Sequence, residues 1–191
     1  RRYTLGTNAP LRRSSQTALH HVFSSLVRLL APILTFTTDE AWSYATSKVE
    51  YGDGSVHLKD WPVAPAEWTN PGLATEVPAL LPVRGIVNEA IEPLRAAGML
   101  GKSLDASVVL SSSPDEPAFQ ILEKHRDFLP ELFIVSHVTL APVMGTAINA
   151  GIRPSSELDY NRCPRCWRWV PVLEESALGS VCPRCTEALK P

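Results

Sequence analysis

Apolar residues recur at helical spacing in several stretches of this chain, and the gaps between them are filled with proline, glycine and polar residues. Over residues 11–30, Ala18, Val22, Leu26 and Leu30 fall at i+4, and Leu19, Phe23 and Leu29 widen the stripe. That period predicts an amphipathic helix buried along this face. Pro10 suits its first turn and Pro32 ends or kinks it. Thr37 and Glu40 have the spacing of a capping box, which predicts a second helix through Ala41, Trp42 and Tyr44 with Thr37 as N-cap. Helices joined this closely pack as neighbours in a small bundle. Residues 46–72 read as a linker with a short extended piece at 56–58 and a solvated His57. Helical spacing returns over 80–97 at Val83, Ile86, Val87, Ala90, Ile91 and Leu94, with Pro82 near the start, a bend at Pro93 and Gly98 as the cap. A strand over 106–110, a helix over 116–129 and a strand over 132–140 complete a small α/β unit. Residues 141–157 read as a second linker. The remaining segment, 158–191, is too poor in apolar residues to bury a core of its own.

The cysteines supply what that segment lacks. All four lie in two copies of Cys-Pro-Arg-Cys, Cys163–Cys166 and Cys182–Cys185, in a C-x2-C-x15-C-x2-C pattern. Two residues between paired cysteines let one tight turn aim both sulfurs at one metal, and this spacing is that of a zinc site. Four thiolates complete the tetrahedral shell of Zn²⁺ and leave no position for water or substrate, so one structural zinc is expected. Its binding would supply most of the folding energy of the segment. Disulfides across residues this close are cramped, and a redox Cys-x-x-Cys pair lacks its βαβ context here. Thiolates fit a reducing, cytoplasmic setting, and no secretory signal or apolar run of membrane-spanning length is present.

Charge adds a second expectation. The 191 residues carry a formal −2, yet Arg1, Arg2, Arg12, Arg13 and Arg28 give residues 1–38 a charge of +5 with no acid, leaving −7 for the rest. A local basic patch binds a polyanion whatever the total; a solvated helix face paired with acids elsewhere is the alternative. Arg12 and Arg13 stand near a helix start, where the dipole disfavours cations. Around the first knuckle, Arg162, Arg165 and Arg168, with Arg184 of the second, surround Trp167 and Trp169. Arginines grip phosphates and aromatic rings stack on exposed bases. The alternative is that these arginines balance the −2 of a four-thiolate zinc site and that Trp167 is the small core of the ribbon.

Catalytic patterns are missing. Ala96-x4-Gly101-Lys102-Ser103 resembles a phosphate-binding loop, but it follows a helix and leads into a strand, and its first glycine is replaced by Ala96. Lys102 then reads as exposed, or as a contact to RNA or to another domain. His20 and His21 are adjacent on a helix and point about 100° apart, so they do not share a metal. No nucleophile and base stand in a workable order.

Arg12-Arg13-Ser14-Ser15-Gln16-Thr17-Ala18-Leu19, Leu30-Ala31-Pro32-Ile33-Leu34, Thr38-Asp39-Glu40-Ala41-Trp42, Ser55-Val56-His57-Leu58, Asp60-Trp61-Pro62, Val83-Arg84, Val87-Asn88, Gly101-Lys102-Ser103-Leu104-Asp105-Ala106 and Cys163-Pro164-Arg165-Cys166-Trp167 follow one another along nearly the whole chain. In this order they resemble the C-terminal end of bacterial isoleucyl-tRNA synthetases. The resemblance implies a mainly α fold with a small α+β part. Residues 1–62 would be an incomplete helical-bundle anticodon-binding segment, 73–140 a small α/β extension, and 158–191 a four-cysteine zinc ribbon. It implies tRNA contacts at Arg1, Arg2, Arg12, Arg13, Arg162, Arg165, Trp167 and Arg168. The metal ligands would be Cys163, Cys166, Cys182 and Cys185. A longer, monomeric enzyme would use ATP and Mg²⁺ to join isoleucine to its tRNA, with no membrane partner, and this part alone would not be catalytic. A DNA-repair glycosylase with a similarly spaced finger is the runner-up, although no N-terminal proline nucleophile is present. A zinc ribbon serving protein–protein contact is the third possibility.

Overall fold

A computed structural model describes residues 4–45, 54–145, 147–176 and 179–190. The chain divides into two compact units: Thr7–Thr69 forms one, and residues 70–190 together with residues 4–6 form the other.

In the first unit, α1 (Pro10–Leu30) and α2 (Thr35–Ser43) follow each other closely. Pro10 occupies the first turn of α1, and Arg28 lies in the last, where its charge complements the helix dipole. The core of this unit is small: Val27, Ala31, Trp42 and Val56 are buried, with Phe23, Ala41 and Ala45 packed against them. The covered side of α1 therefore runs through Phe23, Val27 and Ala31. Of the expected stripe only Phe23 is packed here, while its central i+4 series is open, with Val22 and Leu26 60% and 50% exposed. Both series have i+4 spacing and lie about 100° apart, so period alone cannot choose between them. The choice is made by Trp42 and Val56. The expected capping box is not formed either: Leu34 is the N-cap of α2, no side chain caps it, and Thr37 lies inside the helix. Asp39 works elsewhere. Its Oδ1 accepts the Ser55 hydroxyl at 2.5 Å and the Val56 N–H at 3.0 Å. Those bonds hold its carboxyl below the ordinary carboxylate range, Ser55 first and Val56 next. Residues Val56–Leu58 are thus a 3-10 turn with Val56 buried, not an extended piece. His57 is exposed, with Nε2 3.2 Å from Thr35 O.

The second unit begins with α3 (Pro71–Ala96), which starts well before the periodic apolar stretch. Asn70 caps it by accepting the Leu73 N–H at 3.1 Å, and Pro71 sits in its first turn. Pro78, Pro82 and Pro93 lie within it. All three are exposed, so the carbonyls that lose a donor to proline face solvent. The opposite stripe of Leu80, Val83, Val87 and Ile91 is buried. At its end Gly98 has φ 72°; Gly98 N–H reaches Arg95 O at 3.0 Å and Met99 N–H reaches Leu94 O at 2.9 Å. This double bond around a left-handed glycine stops the helix.

Three strands follow, β1 (Ala106–Ser112), β2 (His137–Pro142) and β3 (Asn149–Pro154), in the order β2-β1-β3. β1 pairs parallel with β2, Val108 facing Val138, and antiparallel with β3, Val108 facing Ile152. The crossover from β1 to β2 contains α4 (Pro117–Lys124) and α5 (Leu129–Leu132), separated by a 3-10 turn, where the sequence predicts one helix. The strand expected over 132–140 starts only at His137, because Leu132 still belongs to α5 and Ile134 has a left-handed φ of 58°. β3 lies in the expected second linker. Ile148, Ala150 and Ile152 alternate toward the core, a period-two signal weakened by small residues and glycine. Ala106, Val108 and Leu110 pack with the α3 stripe, Phe119, Leu122, Leu129, Phe133 and Val135.

Glu76 ties α3 to the end of α4. It accepts Lys124 Nζ at 2.5 Å and lies 2.7 Å from His125 Nε2. Lys124 and then His125 hold its carboxyl below the usual carboxylate range. A depressed folded-state value adds stability above the unfolded value and loses it as pH falls through the folded one. Glu76→Gln is therefore expected to lower the melting temperature at neutral pH, with a deficit that shrinks as acid protonates the wild-type carboxylate in the folded state. Melts of both forms from neutral to acid pH check it; an equal deficit at every pH would exclude the ion contacts as its source.

Candidate metal centre and nucleic-acid interface

The ribbon is built from short pieces. The first knuckle is the bend between β4 (Asn161–Arg162) and β5 (Trp169–Val170), which pair antiparallel. Cys163 N–H donates to Arg168 O and Trp167 N–H to Cys163 O, both at 2.8 Å. The second knuckle opens α6 (Pro183–Ala188), with Cys182 as its N-cap and Cys185 inside it. Glu174 and Val181 exchange backbone bonds at 2.8 and 2.9 Å, which brings the second knuckle back to the first.

The result is one cluster. The four sulfurs of Cys163, Cys166, Cys182 and Cys185 all lie within 4.8 Å of one another, and the Cys166 and Cys182 sulfurs are 3.6 Å apart. A tetrahedral site of four sulfurs with Zn–S of about 2.3 Å spaces them by about 3.8 Å. A disulfide requires about 2.05 Å, so the cysteines are free thiols. All four are buried, among Val170, Leu173, Val181 and Leu189. Burial pushes the Cys163 thiol up, but N–H groups of Cys182, Cys166 and Arg165 outweigh it and bring it to about 6. Burial pushes Cys182 up to about 12, with the neighbouring sulfurs adding to it. Thiols held this high become thiolates together only with a cation among them, and a soft divalent ion with four sulfur ligands suits this donor set.

The arginines around the cluster divide into two groups. Arg165 donates through Nη1 to Thr4 O and lies 3.5 Å from Cys185 Sγ. Arg184 donates to Thr4 Oγ1 at 2.8 Å. Arg168 donates to Ser136 O at 2.8 Å. These three are turned into the unit and make part-buried bonds. Arg162 is exposed, with its guanidinium 6.0 Å from the Trp167 ring centre. Trp167 is 51% exposed and does not belong to the ribbon core. Lys102 Nζ stands 4.4 Å over the same ring.

Trp169, by contrast, fixes the ribbon to the α/β part. Its Nε1–H donates to Asp105 Oδ1 at 3.0 Å and its backbone N–H to Ser136 Oγ at 2.9 Å. Ser136 Oγ in turn donates to Leu104 O at 2.6 Å. Sequence reasoning missed Thr4, Asp105 and Ser136, whose partners lie 32 to 180 positions away. In the other unit, Arg13 is exposed and Arg12 partly so on the early turns of α1. Arg1 and Arg2 lie outside the described residues. The Gly101–Ser103 segment links a helix to a strand, the reverse of a phosphate-binding loop.

A helical unit with basic early turns, a small mixed sheet and a four-cysteine ribbon define a class of protein. Residues 2–110 match the family described as the anticodon-binding domain of tRNA ligase, and the chain belongs to that family. It is 35% identical to the isoleucine–tRNA ligases of Geobacter sulfurreducens, Fervidobacterium nodosum and Thermotoga maritima, over 99–100% of its own length. It spans 21% of the length of each. The repair-glycosylase alternative gains nothing from these matches. Among the described residues, no helix is long and apolar enough to cross a membrane.

Proposed function

We propose that this chain is the tRNA-gripping C-terminal part of an isoleucine–tRNA ligase, and that it binds the anticodon region of isoleucine tRNA. The observation behind this is the unbroken likeness to ligases of that name, from the helical unit through both knuckles. On this reading, residues 1–62 are the second part of the helical anticodon-binding domain, 73–140 the α/β extension and 158–191 the zinc domain. Arg1, Arg2, Arg12 and Arg13 meet phosphates, which position the RNA, and the knuckle meets the loop through Arg162 and Trp167, while Arg165 and Arg168 hold it in place through Thr4 and Ser136. Unpaired loop bases are splayed and open to stacking, which is how RNA sequence is usually read. The four cysteines hold one Zn²⁺, which supplies folding energy and no reactive position. Ligation with ATP and Mg²⁺ belongs to the rest of a longer, monomeric cytoplasmic enzyme.

The test is a titration of the chain with isoleucine tRNA and a non-cognate tRNA, with and without prior zinc removal. Cognate preference that disappears on chelation is expected; equal affinity for both tRNAs in the zinc-loaded chain would remove recognition from this part. Replacing Arg12 and Arg13 together with glutamine is expected to weaken binding and flatten its salt dependence by about 0.7–0.9 per lost phosphate contact. An unchanged affinity and slope would take the RNA off this face of α1.

A further inference from the structure

We propose that Lys102, Trp167 and Arg162 form one composite platform for an unpaired RNA nucleotide, in which Lys102, contributed by the α/β part and not by the ribbon, contacts the phosphate. This rests on the tRNA-binding reading above and adds a residue and a geometry to it.

The first observation is the backbone at Trp167. Its φ is 64°, in the left-handed region that glycine enters freely and a bulky side chain does not. An aromatic residue held there is strained, and such strain persists where the side chain has a task. That task is not packing. Val170, Leu173, Val181 and Leu189 close the ribbon around the cysteines, while half of Trp167 faces solvent. The second observation is the pair of cations over the ring, Lys102 Nζ at 4.4 Å and Arg162 Cζ at 6.0 Å. Both are within cation–π range. Neither pairs with a carboxylate among the described residues. A half-exposed aromatic ring with two cations over it that have no carboxylate partner supplies the chemistry that holds a stacked base and its phosphate.

The third observation is how Lys102 is held. Asp105 bridges the two parts: Oδ2 accepts the Lys102 N–H at 2.9 Å and Oδ1 accepts Trp169 Nε1–H at 3.0 Å. Ser136 adds a second link, to Trp169 N–H and Leu104 O. The turn that carries Lys102 is thus fixed relative to the knuckle that carries Trp167; the ammonium stands over the ring in the free chain, and a base that stacks there displaces it only as far as the adjoining phosphate. Asp105 is a positioning residue in this arrangement.

The experiment uses the zinc-loaded chain and a labelled anticodon stem-loop RNA of isoleucine tRNA, titrated by anisotropy at several salt concentrations, with a blunt duplex of equal charge as control. Lys102→Ala is expected to weaken stem-loop binding about fivefold and to reduce the salt slope by about 0.7. Trp167→Gly relieves the left-handed strain, so it is expected to raise the melting temperature while weakening binding about tenfold with the slope unchanged. The two variants combined should lose less than the product of the single losses, because the groups act on one nucleotide. A purely structural Trp167 would lower stability and affinity together, and that result overturns the proposal. So does a Lys102→Ala variant with wild-type affinity and slope while Arg12/Arg13 replacement still weakens binding, an outcome that leaves the tRNA reading standing. Wild-type binding to the duplex as tight as to the stem-loop also overturns it. A wild-type chain that binds neither RNA sinks both readings.

Discussion

Chelating the metal, or replacing Cys182 with serine, is expected to unfold residues 158–190 as a unit. Besides the cysteines, the apolar residues packed in the ribbon's core are Val170, Leu173, Val181 and Leu189, of which only Val181 is buried; that is too little surface to offset the ordering of its backbone. Structural Zn²⁺ in comparable sites binds with about 10–16 kcal/mol at pH 7, and that binding energy is folding energy. The losses extend past the ribbon, because Arg168 and Trp169 cap the start of β2 through Ser136. Amide exchange before and after chelation, with metal content measured in parallel, checks this. One zinc per chain, and loss of protection at Val181 and Cys185 on its removal, is the expected result. Protection that survives in a metal-free chain would show that the ribbon folds without its ion.

The second large effect is expected at Trp42. The helical unit buries only Val27, Ala31, Trp42 and Val56 among its described apolar residues, and Trp42 is much the largest of them. Truncating a buried tryptophan to alanine costs about 3–5 kcal/mol. That is comparable with the whole stability of a small core. Trp42→Ala should therefore melt residues 7–69 at a lower temperature while residues 70–190 keep their own transition. Calorimetry or denaturant unfolding followed by exchange would resolve the two. One transition with an unshifted midpoint would contradict the assignment of Trp42 as the centre of that core.

What could be read from the sequence follows a physical boundary. The cysteine knuckles were legible because metal geometry fixes their spacing locally, and the structure brings the four sulfurs together. The α3 stripe and β1 were legible because each carries its own period. β3 was hidden by Gly151 and Ala150, whose small side chains erase alternation. The capping box at Thr37 was a local pattern overridden by tertiary bonds, since Asp39 is used to seat Val56. The start of α3 was obscured by Pro71, Pro78 and Pro82, which mark loops in most contexts but here lie along a solvent-facing side. The buried side of α1 was undecidable locally, because two i+4 series compete and only the partner selects one. The pairing of Lys102 with Trp167 joins residues 65 positions apart in the sequence, and nothing local announces it.

The bonds from Arg165 and Arg184 to Thr4 span 161 and 180 positions. Residues 4–6 therefore belong with a ribbon that leaves the ribosome long after them, and the entire helical unit is looped out between them and Asn70. During synthesis α1, α2 and α3 emerge with residues 4–6 still undocked, and only after Cys182 and Cys185 have emerged does their berth exist. Docking of this segment is expected to come late in the life of the nascent chain and to follow the closing of the cysteine cluster, so residues made before the helical unit are among the last to settle.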